Sequence, residues 1–272
     1  MKVTGPLLLI GCGKMGGALL SGWLERGVDA KDVYIVDPNP AALEPFGSAS
    51  LNHVGAVSEL PADLRPALVM LAVKPQQMDE ALPQLRGLVN PDTVFLSIAA
   101  GKTIDYFESH LGDEAAIVRA MPNTPAAVGR GVSVLVANAA VGKTQRQFCQ
   151  ELMSAVGVAD WVEDEDQMNA VTAVSGGGPA YVFYMIECLA KAGEEAGLPK
   201  EVAERIARAT VTGAGELVHQ SSETPAQLRK NVSSPGGTTV EALAVLMAED
   251  GLEPLMVKAI AEATRRSREL AS

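Results

Sequence analysis

The sequence predicts an α/β domain on a doubly wound, mostly parallel sheet, followed by an all-α domain. Three observations carry this reading. An apolar run at residues 7–10 breaks into Gly11, Gly13 and Gly16, and helical spacing follows at once. Unbroken apolar runs then alternate with amphipathic stretches to about residue 162, the β-α alternation of a sheet buried on both faces. From residue 163 the runs stop, and stripes of small and apolar residues recur at helical spacing to the end of the chain. The expected division is therefore residues 1–162 and residues 163–272.

The glycines stand in a G-x-G-x-x-G spacing between a strand and a helix. Gly11 lets the chain turn off the strand, Gly13 lets a pyrophosphate approach the backbone, and Gly16 lets the helix lie close to the strand. Lys14 and Met15 open a helix whose free N–H groups and dipole face such an anion. Met15, Leu19, Leu20, Trp23 and Leu24 share its apolar face, and Gly27 stops it. A second strand, residues 33–36, ends at Asp37, about 20 residues past the glycines, where dinucleotide folds place a ribose-binding acid. Together these features predict a Rossmann domain.

Pro38, Asn39 and Pro40 then make a turn, with a short helix expected at residues 41–46. Strands are expected at residues 67–73, 93–98, 117–120, 132–136 and 158–162, and helices at 76–85, 104–111 and 142–156. Three of these strands end in turn-forming or small residues. The first ends in Ala72-Val73-Lys74-Pro75, the second in Ala99-Ala100-Gly101, the third in Met121-Pro122-Asn123-Thr124-Pro125. Ligands of open α/β sheets bind outside the carboxyl ends of the strands, so these loops are expected beside the glycine turn.

Composition bounds the function. A chain of 272 residues with 47% hydrophobic residues can build a sizeable core, and 4% aromatics means a core of small and aliphatic side chains. A net charge of −11 argues against nucleic acid and anionic membranes as partners, although a local cluster of donors still suits an anionic substrate. Cys12, Cys149 and Cys188 are odd in number and far apart, which is no disulfide framework. His53, His110 and His219 are equally scattered, and no metal site is expected. Lys2 precedes an apolar run, but Lys14 and the glycines interrupt it, so no leader is expected. No apolar run approaches membrane-spanning length, and a cytoplasmic protein is expected.

The acidic residues 163–166 mark a linker or helix start, and no strand is expected beyond them. One helical face carries Ala203, Ile206, Ala207, Thr210, Val211, Ala214, Leu217 and Val218. Others carry Val240, Leu243, Ala244 and Met247, and Leu252, Leu255, Met256, Ala259, Ile260 and Ala263. These faces are too numerous for one short bundle to bury, which points to a second copy of the chain. Two stretches break the pattern. Ser175-Gly176-Gly177-Gly178-Pro179-Ala180-Tyr181 places three glycines in a helical region, each costing about 1 kcal/mol against alanine. Close packing or a ligand has to compensate. Asn231-Val232-Ser233-Ser234-Pro235-Gly236-Gly237-Thr238-Thr239 forces a turn before a helix expected from about Val240. Its hydroxyls and free N–H groups suit a carboxylate or phosphate, and equally a plain helix cap by Thr238 or Thr239.

At these residues the chain resembles the pyrroline-5-carboxylate reductases, through nearly its whole length. The most restricted of the shared motifs is Ser234-Pro235-Gly236-Gly237-Thr238-Thr239. The resemblance implies reduction of the cyclic imine Δ1-pyrroline-5-carboxylate to L-proline with NADPH or NADH, the last step of proline synthesis. It implies a helical C-terminal domain that forms a homodimer, and in many of the family's members five dimers form a ring-shaped decamer. By position it assigns Ser234, Gly237 and Thr238 to the substrate carboxylate and Thr239 to the ring nitrogen. A threonine hydroxyl is a feeble acid, so Thr239 reads as an orienting partner or a relay from water, and no histidine or carboxylate pair stands nearby in sequence. Asp37 pulls the other way from a family that often prefers NADPH, because a carboxylate there favours the NADH ribose hydroxyl and repels a 2′-phosphate.

Two other classes fit less of the chain. A β-hydroxyacid dehydrogenase of the same build needs a lysine about one turn past a glycine-rich helix start, where this chain has Val182, and Lys191 comes too late. A non-catalytic dinucleotide sensor has no use for a carboxylate-gripping turn.

Overall fold

The apolar runs become one sheet in the computed structural model, which describes residues 3–47 and 49–271. Its strands are β1 (Leu7–Ile10), β2 (Val33–Val36), β3 (Asn52–Val54), β4 (Leu68–Leu71), β5 (Val94–Ser97), β6 (Ala116–Met121), β7 (Gly131–Ala137) and β8 (Gly157–Trp161). Their spatial order is β3-β2-β1-β4-β5-β6-β7-β8. Neighbours are parallel throughout except β6 and β7. β1, β4, β5 and β6 are buried at every position, as expected of strands covered on both faces.

Strand alternation sorts the core into two layers. Leu7 and Leu9 face α1 (Lys14–Glu25) and α4 (Lys143–Met153), with Leu19, Trp23, Phe148 and Leu152 in the same layer. Leu8 and Ile10 face the layer of α2 (Met78–Leu85) and α3 (Ile104–Leu111), with Leu82, Leu85, Phe107 and Leu111. Trp23 is fully buried, and its indole N–H donates to the Leu152 carbonyl at 3.0 Å, tying α1 to α4. Leaving that donor unmet would cost about 1–3 kcal/mol.

Several elements differ from the sequence expectation. β3 is new: it is a three-residue edge strand with Asn52 and His53 and no apolar run to announce it. It is held partly by the Asn52 amide, which donates to the carbonyls of Lys31 (2.8 Å) and Val33 (3.1 Å). β7 departs from the β-α alternation by running antiparallel to β6. Only residues 122–130 join them, shorter than the dozen or so that a parallel crossover needs. The helix expected at 41–46 is a 3-10 run over Pro40–Phe46 with Pro45 inside it. Proline lacks the N–H an α-helix would use there. The helices expected at 76–85 and 142–156 each divide, with 3-10 turns at Pro75–Gln77 and Ser154–Val156.

Beyond β8 the described residues hold helices alone, as expected. They are α5 (Gln167–Val171), a π turn at Thr172–Gly176, α6 (Gly178–Glu195), α7 (Lys200–Gln220), α8 (Pro225–Asn231), α9 (Thr238–Leu246) and α10 (Leu252–Ala271). The chain divides into two compact units: residues up to 176 together with those from Ala263 onward, and residues 177–262. In the first unit the end of α10 is fastened by the Ser267 hydroxyl, which donates to the Asn169 side-chain oxygen at 2.9 Å. In the second, α6 and α7 form a hairpin through small residues, and a Cβ on Gly193 would stand 3.2 Å from that of Ala203. Among that unit's described residues the buried apolar side chains are Ala190, Ala203 and Ala207. Phe183 is 59% exposed and Leu217 65%. A unit this rich in apolar residues and this poor in buried ones presents a surface that another protein surface must cover. Among the described residues no helix is long and apolar enough to cross a membrane.

Candidate active site

The glycine turn hangs between β1 and α1. Gly11 has φ +92°, its N–H donates to the Val36 carbonyl (2.9 Å), and a Cβ there would press on Val73 and the Ala72 backbone at 2.9–3.0 Å. Only glycine combines that conformation with that approach. A Cβ on Gly16 would collide with the Gly11 carbonyl oxygen, so this glycine sets how closely α1 meets β1. Gly13 is different. A Cβ there would meet no atom within 4 Å. Gly13 is the residue before α1, offers no side-chain cap, and accepts the Gly17 N–H at 2.7 Å. The helix start at Lys14 and Met15 is thus uncapped behind an open backbone, which fits the pyrophosphate of a dinucleotide.

Asp37 does more than the sequence indicates. One carboxylate oxygen accepts the Cys12 N–H at 2.7 Å and the other the Asn39 N–H at 2.8 Å. Its carbonyl meets His53 Nε2 at 2.8 Å. Asp37 therefore braces the glycine turn from β2, and each oxygen keeps lone pairs for a ribose hydroxyl. Cys12 is buried within the turn. Burial first, and the Asp37 charge second, push its thiol up to about 11, so it stays protonated and serves as a small packing residue.

The three strand-end loops gather as expected, because in the parallel register Ile10 pairs with Leu71, Leu71 with Ser97, and Ser97 with Arg119. Ala72 and Val73 lie against Gly16 and Gly11. Lys74 is exposed ahead of Pro75, and its N–H donates to the Gln77 side-chain oxygen at 3.3 Å. Ala99 is buried, Ala100 is exposed, and Gly101 takes φ +75° with the Leu270 carbonyl oxygen 3.0 Å from where its Cβ would be. Met121 is buried, and Thr124 opens a 3-10 turn. Asn123 spends its side chain on the protein, bonding Val132 and Ser175.

Sequence reading missed Arg119 and Glu165. Arg119 is buried in β6 and ion-paired with Glu165. The same Glu165 oxygen accepts the Ile104 N–H at 2.8 Å, at the first residue of α3. One carboxylate thus joins β6, α3 and the acidic linker. The available signal was an arginine inside the apolar run Ala116-Ile117-Val118-Arg119-Ala120-Met121, which demands a buried carboxylate.

In the second unit, the Ser233 hydroxyl donates to the Arg229 carbonyl (2.7 Å) and closes α8. Gly236 takes φ +73°, and the Gly237 N–H donates to the Ser234 carbonyl at 3.0 Å. α9 begins at Thr238, two residues earlier than expected, with Gly237 before it and no side-chain cap. The plain-cap alternative is therefore corrected: Thr238 and Thr239 lie inside the first turn and do not cap it. Ser234, Thr238 and Thr239 are all exposed around an uncapped helix start, an arrangement that can accept a carboxylate. Among the described residues no cluster of potential metal ligands occurs.

A glycine turn at the switch of a doubly wound sheet, leading into an uncapped helix start, defines a class: a dinucleotide-binding α/β protein. Residues 165–270 match the family model described as pyrroline-5-carboxylate reductase dimerisation. Residues 7–101 match that described as NADP oxidoreductase, coenzyme F420-dependent. The chain is 39% identical over 269 residues to a pyrroline-5-carboxylate reductase of Pseudomonas aeruginosa, covering 98% of this chain and 97% of that one. It superposes on the structure of a pyrroline-5-carboxylate reductase from Coxiella burnetii with a TM-score of 0.92 at 34% identity, over 99% and 100% of the two chains. The pyrroline carboxylate reductase of Plasmodium falciparum with NADP bound follows at 0.78 and 28%, over 99% of each chain. The chain belongs to the pyrroline-5-carboxylate reductase family.

Proposed function

We propose that this protein reduces the C=N bond of Δ1-pyrroline-5-carboxylate to give L-proline at the expense of NADH or NADPH, the last step of proline synthesis. The observation that carries the substrate half is the uncapped start of α9, with Ser234, Thr238 and Thr239 around it. The cofactor, when bound, supplies the hydride. Gly11, Gly13 and Gly16, with the N–H groups at Lys14 and Met15, hold its pyrophosphate, and Asp37 its adenosine ribose. Ala72, Val73, Lys74, Pro75, Ala99, Ala100, Gly101, Met121 and Thr124 line the remainder. The Ser234 and Thr238 hydroxyls and the Gly237 N–H grip the substrate carboxylate. Thr239 orients the ring nitrogen or relays a proton to it from water.

Residues 1–162 serve as the dinucleotide-binding part and residues 163–272 as the helical substrate and dimerisation part, a reading supported by the family matches at 7–101 and 165–270. The homodimer covers the apolar faces of the second unit, and five dimers complete a decamer. The protein works in the cytoplasm. The β-hydroxyacid reading loses further support, since Lys191 is exposed and paired with Glu195 at 2.8 Å. The test is loss of NAD(P)H absorbance on adding pyrroline-5-carboxylate, beside a control of a β-hydroxyacid with NAD(P)+. Turnover in the first alone is expected, and turnover in the second alone would overturn the assignment.

A further inference from the structure

Asn123 lies just beyond β6, at the sheet edge where the cofactor loops gather, yet its side chain is committed to the protein. Its Oδ1 accepts the Val132 N–H at 2.8 Å. Its Nδ2 donates to the Ser175 carbonyl oxygen at 3.2 Å and to the Ser175 Oγ at 3.3 Å. A backbone N–H can only donate, so the Val132 bond fixes which end of the amide is oxygen, and the NH2 end has to face Ser175. A serine oxygen that accepts from Nδ2 keeps its own hydrogen to give away. Among the described residues no acceptor takes that hydrogen.

Ser175 belongs to the π turn Thr172–Gly176, an irregularity that proteins use at functional sites. Packing within the chain explains neither Gly176 nor Gly178. A Cβ on Gly176 would make ordinary contacts, 3.7 Å to Thr172 and 3.9 Å to the Met121 sulfur, and one on Gly178 would meet nothing within 4 Å. The Met121 contact places the turn at the carboxyl end of β6. A dinucleotide on a sheet of this order straddles the switch between β1 and β4. With the adenosine ribose at Asp37 beyond β2, the nicotinamide half falls on the side of β4, β5 and β6.

We propose that the Ser175 hydroxyl donates a hydrogen bond to the carboxamide oxygen of the nicotinamide, and that Asn123 is the positioning residue that aims it. This rests on the NAD(P)H reading given above. A serine hydroxyl in water turns freely; the Asn123 amide fixes its oxygen as acceptor and so directs its hydrogen outward before the cofactor arrives, which lowers the ordering cost of binding.

The test is calorimetric titration of the whole protein with NAD(P)H and with ADP-ribose, which keeps the adenosine and pyrophosphate and lacks the nicotinamide. Ser175→Ala is expected to weaken NAD(P)H about tenfold, the loss of one hydrogen bond, and to leave ADP-ribose unchanged. Ser175→Thr keeps the hydroxyl and should restore most of the loss. Asn123→Asp still accepts the Val132 N–H but draws the Ser175 hydrogen to itself, so it should show the same nicotinamide-specific loss. Adding Ser175→Ala to it should weaken binding no further. Equal effects on both ligands, or no effect of Ser175→Ala on either, would overturn the assignment while leaving the cofactor reading intact. Failure of the unaltered protein to bind either ligand would overturn the cofactor reading and this assignment together. Should Asn123→Asp not fold, the Ser175 variants decide the matter alone.

Discussion

Asp37 braces the glycine turn through the Cys12 and Asn39 N–H groups. Under the proposed cofactor reading the same carboxylate also faces the ribose 2′ position, where a 2′-phosphate would have to sit. Asp37→Ser should raise kcat/KM with NADPH relative to NADH, and it should also lower Tm, because two bonds to a charged acceptor are lost. An unmoved cofactor ratio with a lowered Tm would leave Asp37 the bracing role alone. In the turn proposed to hold the substrate, Ser234→Ala should raise KM with kcat little changed, since a carboxylate bond persists throughout the reaction. Thr239→Val should lower kcat, by about 10²-fold if the hydroxyl relays a proton and by about tenfold if it only orients. Its Tm should hardly move, because Thr239 does not cap α9. Steady-state kinetics and melting on one preparation separate these outcomes. The buried Cys12 thiol sets a pH dependence. Raised to about 11 in the fold, it holds its proton while the unfolded thiol, near 8.5, has begun to lose one. Its stabilising contribution is complete below about pH 8.5 and is lost as pH climbs toward 11. Cys12→Ala should flatten the alkaline decline in Tm.

Among the elements, β6 is the one that fixes the end of the first unit. Arg119 holds Glu165 at the acidic linker, and Asn123, just past the strand, holds Ser175 in the π turn, so both ends of the stretch containing α5 are tied to β6 and the loop that leaves it. Glu165 also bonds the first N–H of α3, whose preceding loop is Ala99-Ala100-Gly101. Removing one partner of a buried pair leaves an uncompensated charge. Glu165→Gln should therefore destabilise the protein by about 3 kcal/mol, because Arg119 is the more deeply buried partner. Adding Arg119→Met should recover much of that loss. Denaturant unfolding of the two single variants and the double variant closes the cycle. Additive losses would show that the pair is not coupled.

At the scale of the molecule, the second unit has too little interior to stand alone in water. Its buried apolar side chains are three alanines, while Phe183, Leu217, Leu255 and Val257 are exposed on the single chain. The match of residues 165–270 to a dimerisation family explains what covers them. Folding and association should be inseparable, so Tm should rise with protein concentration. Light scattering that finds a stable, active monomer at micromolar concentration would refute an obligate dimer.

Much of this was legible in the chain itself. Local signals suffice where an element declares itself over a few residues. Four unbroken apolar residues make a buried strand, and glycines at fixed offsets make the tight turn into α1; a change of period marks where the sheet ends. The turn before α9 was legible for the same reason, since Pro-Gly-Gly with flanking hydroxyls is contiguous. Partnerships between distant residues were not legible. The Asp37 carboxylate could be placed at the end of β2 but not joined to the Cys12 N–H, and Asn123 could be placed in a strand-end loop but not turned toward Ser175. Arg119 needed Glu165 from the acidic linker. β3 needed β2 beside it, and the direction of β7 depended on how few residues separate it from β6. Whether Thr238 and Thr239 cap α9 or lie within it turned on a two-residue shift of the helix start. In the sheet unit, sequence periodicity determined which residues face inward. The tertiary structure alone decided which buried polar groups meet, because a hydrogen bond selects its partner by position in space and carries no trace of it along the chain.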